Sequence, residues 1–139
     1  MLTDQDRIDI VRYRIECAER TLDEIDTLLA FKYYNNAANR MYYACYYPVS
    51  ALLIANGIVT KSHDGVKQMF GLLFIRTGVF PPSYGRDYSS LFESRQTGDY
   101  EDLFDHDEQS TAKLYPKAKE IVLAVKEKVE VWLAENVGK

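Results

Sequence analysis

Apolar residues recur along the first segment at Ile8, Val11, Ile15, Ala18, Leu22, Ile25 and Leu29, at alternating steps of three and four. That spacing is the seam of a helix packed in an antiparallel bundle; a half-buried strand would alternate every second residue. Thr3 or Asp4 stands where the N-cap belongs, and Thr3-x-x-Asp6 fits a capping box. The opposite face carries mixed charges, with Glu16 and Arg20 at a favourable pairing distance along the helix. That face reads as solvated.

The same reasoning predicts a second helix from about Asn35 to Asn56, apolar nearly all round, with Gly57 as its left-handed cap. Pro48 falls inside it, where a kink or bulge is expected. Ser62 should cap a third, shorter helix from about His63 to Arg76, ended by Gly78. Pro81-Pro82 then open a fourth, with Thr97-Gly98 ending or loosening it. Asp105 or Asp107 caps the last, and Pro116 marks an early bend or a later true start. The expected fold is all-α: one domain over residues 1–139, an antiparallel up-and-down bundle of four long helices plus one shorter helix.

Composition narrows the function classes. A chain of 139 residues can bury a core without staples, and no run of 18 apolar residues suggests a membrane span. Asp4, Asp6 and Asp9 stand where a leader would be basic. Cys17 and Cys45 lack ligand spacing and read as reduced, partly buried thiols, which fits a cytoplasmic protein. A net charge of −4 argues against a general nucleic-acid binder, though not against a local basic pocket.

Chemistry concentrates in two places. Residues 39–47, Asn-Arg-Met-Tyr-Tyr-Ala-Cys-Tyr-Tyr, set Arg40 and four phenols into a helix that otherwise reads as core. Arg95-Gln96-Thr97-Gly98-Asp99-Tyr100 follows another apolar segment. Arginine offers a planar fork suited to phosphate, and phenol or imidazole can orient or move a proton. Arg40, His63 and Arg95 are therefore candidate phosphate contacts, with Tyr43, Tyr47, Asp99 and Tyr100 along a polar seam. The structural alternative is a bundle-internal network in which Arg40 or Arg95 pairs with Asp99. His63 has two readings as well, a cap-region residue on the bundle end or a cleft residue. Neither His63 nor His106 has partners at metal-ligand spacing, so no metal and no cofactor are expected.

Taken in order, Asn39-Arg40-Met41-Tyr42-Tyr43-Ala44, Ala51-Leu52-Leu53, Lys61-Ser62-His63-Asp64-Gly65-Val66, Phe70, Gly78 and Arg95-Gln96-x-x-Asp99-Tyr100 resemble the signature of HEPN-domain proteins, in a small prokaryotic branch. The resemblance runs from about residue 8 to 133. It implies a helical bundle that dimerises, lines one cleft with polar residues from both subunits, and associates with nucleotides or RNA. It also implies a minimal nucleotidyltransferase as partner in a toxin–antitoxin-type pair, with Tyr100 as a modification acceptor.

Ribonuclease members of that family carry an Arg-x(4–6)-His motif, the arginine holding the scissile phosphate and the histidine moving a proton. Here Asp99 stands at about the histidine position after Arg95, and Tyr47 at that after Arg40. An aspartate beside a phosphate would repel it. The expectation is therefore a nucleotide- or RNA-associated binding and regulatory module. A metal-independent ribonuclease toxin and a structural dimerising bundle are the alternatives.

Overall fold

The structure, a computed structural model, describes residues 2–100 and 105–137, with side chains for all of these except 96–100. Five helices follow in order: α1 (Asp4–Ala30), α2 (Tyr34–Ala55), α3 (His63–Phe70), α4 (Pro82–Tyr100) and α5 (Glu108–Asn136). A π-helical turn, Gly71–Ile75, extends α3. The all-α bundle of four long helices and one short one is thus the observed architecture.

Local chemistry explains most of the boundaries. Thr3 Oγ1 accepts from the Asp6 N–H at 3.0 Å while the Asp6 carboxylate accepts from the Thr3 N–H, the capping box read from the sequence. Ser62 caps α3 by accepting from the Gly65 N–H at 2.9 Å. Asp107, rather than Asp105, caps α5 in a reciprocal pair with Ser110. Pro116 therefore lies inside α5 and is not its start.

Two helices end in the same way with different residues. After α2, Gly57 takes φ +76°, with its N–H on the Ile54 carbonyl and that of Ile58 on Leu53. After α1, Lys32 takes φ +64°, with its N–H on Leu29 and that of Tyr33 on Leu28. Both are Schellman closures, but Lys32 puts an L side chain where glycine is at ease.

Three details depart from expectation. The third helical segment does not stay α to Arg76; it widens at Gly71–Ile75, where the Arg76 N–H bonds the Gly71 carbonyl. Gly98 does not end α4, which runs to Tyr100. Arg20 leaves Glu16 and donates to Cys17 Sγ at 3.3 Å, its guanidinium over the Tyr13 ring. Helical backbone also continues through Pro48 in α2.

Contacts fix the directions. Arg14 reaches Ser50, and the short link Phe31–Tyr33 joins the helices, so α1 and α2 are antiparallel. Tyr115 bonds Asp26 and Lys126 pairs with Glu19, making α5 antiparallel to α1. Lys117 pairs with Asp87 and Tyr84 reaches Glu120, making α4 antiparallel to α5. α2 is the central helix, touching α1, α3, α4 and α5. Its Met41, Tyr42, Val49 and Leu53 sit with Ile25, Tyr88, Leu91 and Ile121 in one fully buried cluster. Cys17 and Cys45 are buried free thiols, and burial pushes the Cys45 thiol up. Among the described residues, no helix is long and apolar enough to cross a membrane.

Candidate functional site

Arg40, Tyr43 and Tyr47 occupy positions i, i+3 and i+7 of α2 and so share one face. The Arg40 guanidinium lies 4.8 Å from the centre of the Tyr43 ring. Its Nε and one terminal nitrogen both donate to Asn39 Oδ1, at 3.2 and 2.9 Å, which aims the fork. α4 delivers Arg95 to the same phenol. Its guanidinium lies 6.0 Å from the Tyr43 ring, 5.1 Å from Tyr42 and 5.5 Å from Phe92. One tyrosine ring therefore has two cations close to it, at 4.8 and 6.0 Å.

Neither cation is neutralised by a carboxylate among the described residues, whose ion pairs are Lys67–Asp64, Lys117–Asp87 and Lys126–Glu19. Arg95 Nε is buried and has no hydrogen-bond partner among them. The side chains of Asp99 and Tyr100, also placed on the seam by the sequence, lie outside the described residues.

His63, the first residue of α3, closes the cluster. Its ring centre is 4.4 Å from that of Tyr46 and 5.6 Å from that of Tyr43. Its Nδ1 lies 2.8 Å from the Tyr42 hydroxyl. Burial, and then the Arg95 charge, lower the imidazole's affinity for a proton. Burial also pushes the Tyr42 phenol up to about 12, so it keeps its hydrogen at neutral pH. Nδ1 is thus engaged by Tyr42, and Nε2 is the ring nitrogen turned away from it.

Arg40, Tyr43, Tyr47, His63 and Arg95 are thus gathered where α2, α3 and α4 meet. Tyr47 packs 6.1 Å from Tyr43; burial raises its phenol, against the influence of Arg40. Sequence reasoning placed Tyr43 and Tyr47 on the seam and left out Tyr42 and Tyr46. Their signal was the i, i+4 spacing on the row beside Tyr43 and Tyr47. Tyr88, fully buried against Tyr42 with ring centres 5.8 Å apart, leaves its hydroxyl without a hydrogen-bond partner among the described residues.

His106 lies elsewhere. It is buried between the starts of α2 and α5, its N–H on Asn35 Oδ1 at 2.8 Å and its ring against Ser110. Among the described residues, no three of His, Cys, Asp or Glu converge in a way that could hold a metal ion. The cluster offers two guanidinium groups against aromatic rings, unneutralised among the described residues, and an imidazole, groups suited to anionic oxygens and best to phosphate.

Comparison with known proteins agrees with the resemblance carried by these residues. The HEPN domain family model matches residues 11–128. A Thermotoga maritima UPF0332 protein is 36% identical over 121 residues, spanning 87% of this chain and 92% of its own. A Methanocaldococcus jannaschii protein named "putative toxin" is 34% identical over 99 residues, 71% of this chain and 74% of its own. A second protein so named from the same organism is 36% identical over 87 residues, 63% of this chain and 59% of its own. The chain belongs to the HEPN-domain family.

Proposed function

We propose that this protein is a HEPN module that binds the phosphate of a nucleotide or of single-stranded RNA in the cluster formed by Arg40, Arg95, Tyr43 and His63. One observation carries the reading: two guanidinium groups meet at a single tyrosine ring with no described carboxylate to neutralise them. A cation needed only for folding is expected to be paired. Aromatic faces hold an arginine in place while leaving its hydrogen bonds for a ligand.

The toxin names of the relatives fit a place for this chain in a toxin–antitoxin-type pair, with a nucleotidyltransferase as partner and a homodimer as the working form. Binding is favoured over cleavage. Asp99 and Tyr47, rather than histidine, stand at the motif positions after Arg95 and Arg40, so neither arginine has its expected general base.

Fluorescence anisotropy with a labelled single-stranded RNA tests this, with the purified protein checked in parallel for RNA fragments ending in 2′,3′-cyclic phosphate. The reading expects salt-sensitive binding, lost in Arg95→Met, and intact RNA. No binding of RNA or of nucleotides would overturn it, and cyclic-phosphate ends that disappear in Arg95→Met would replace it with the ribonuclease reading.

A further inference from the structure

Beside the arginine cluster, α1 and α2 enclose an open hollow of about 610 Å³ lined by Asp9, Ile10, Tyr13, Arg14, Tyr46 and Tyr47. We propose that this hollow is a base-stacking subsite, taking an unpaired nucleobase of the same strand whose phosphate lies at Arg40 and Arg95. The proposal rests on the phosphate reading above.

Three observations converge on that occupant. The first is continuity. Tyr46 and Tyr47 line the hollow and also touch the phosphate cluster, Tyr46 on His63 at 4.4 Å and Tyr47 on Tyr43 at 6.1 Å.

The second is the lining. Tyr13 is 60% exposed although it is a large ring, and Tyr46 and Tyr47 are half-buried, so all three present accessible π faces. Ile10 adds apolar surface. Asp9 accepts from Gln5 Nε2 at 2.9 Å and keeps further acceptor capacity for a base edge. The volume falls within the range of small-ligand sites.

The third is charge. Arg14 donates to Ser50 Oγ at 2.8 Å, and Arg20 lies over the Tyr13 ring, 5.9 Å from its centre. Neither is in an ion pair among the described residues. With Arg40 beyond Tyr47, arginines and aromatic rings interleave along the α1–α2 face, a combination that tracks a single strand by backbone charge and base stacking. An apolar partner helix would use the rings and leave three cations facing it.

The test compares a short single-stranded RNA with the same backbone carrying abasic positions, against the intact chain, Tyr13→Leu and Tyr47→Leu. Tyr13 is exposed, so its variant should fold normally, and thermal melts check both. The expected result is that the abasic strand binds the unmodified protein about tenfold or more weakly, a penalty that shrinks in both variants. Equal binding of intact and abasic strands overturns the subsite while leaving the phosphate reading standing. No binding of either strand overturns both. A Tyr13→Leu protein that loses only self-association on sedimentation, with its base dependence unchanged, also overturns the subsite and assigns the face to a second copy of the chain.

Discussion

The Tyr42 hydroxyl and His63 Nδ1 lie 2.8 Å apart, joining the buried centre of α2 to the first residue of α3. The contact reaches from the core to the edge of the arginine cluster, and it sets which imidazole nitrogen faces out. Tyr42→Phe should therefore change the tautomer balance of His63, read from its ring ¹⁵N shifts. Stability should fall by about 1–2 kcal/mol for one lost buried hydrogen bond. An unchanged tautomer would mean that something other than Tyr42 sets it.

The lowered proton affinity of His63 gives a signed pH effect. Its folded-state value lies below the ordinary 6.5, so between those two values the unfolded chain binds more protons. Stability from this group should hold above pH 6.5, decline as pH falls below that, and level off below the folded value. Urea unfolding from pH 8 to 5 should show that decline in the natural chain and a smaller one in His63→Gln. A bound phosphate should oppose the shift by favouring the imidazolium, so affinity should rise over the same acid range.

Arg95 offers a sharper separation of roles. Cation–π contacts of this kind contribute about 0.5–2 kcal/mol, while the buried, unpartnered Nε opposes folding. Arg95→Met keeps the aliphatic bulk, and thermal melts should place it within about 1 kcal/mol of the natural protein. A loss of several kcal/mol would reveal a buried ion pair and favour the structural reading.

At the end of α1, Lys32 occupies a left-handed position at φ +64°. Lys32→Gly should stabilise the fold by roughly 0.5–1 kcal/mol, because relief of the side-chain strain exceeds the added freedom of the unfolded chain. Chemical denaturation measures it, and a decrease would show that the lysine side chain makes up for its backbone.

Much of this fold was legible because its signals are local. The Thr3-Asp6 box, Ser62, Gly57 and Pro82 each act within one helical turn of their own position, so a single sequence discloses them. The π turn at Gly71–Ile75 was not legible; it depends on carbonyl register, which periodicity does not encode. Gly98 does not itself end α4, because a glycine's cost in a helix is only about 1 kcal/mol and neighbouring residues can absorb it.

The site divides in the same way. Arginines in an apolar helix stand out by type, so Arg40 and Arg95 were visible from the start. Their meeting at Tyr43 depends on how α2 and α4 cross, and the contact between Tyr42 and His63 on a loop that returns α3 to α2. Of the four phenols in residues 42–47, Tyr42 is fully buried while Tyr43, Tyr46 and Tyr47 are only partly so, a division set by how the neighbouring helices pack.

A double-mutant cycle on Arg40→Met and Arg95→Met, read as single-stranded RNA affinity across a salt series, tests the shared anion site most directly. Each single change should weaken binding and lower the slope of log K against log salt by about 0.7, as one phosphate contact on a single strand requires. The double variant should lose less than the two single losses combined, because both arginines serve one ligand group. Affinity and slope unchanged in both single variants, with melts showing folded protein, would contradict the account.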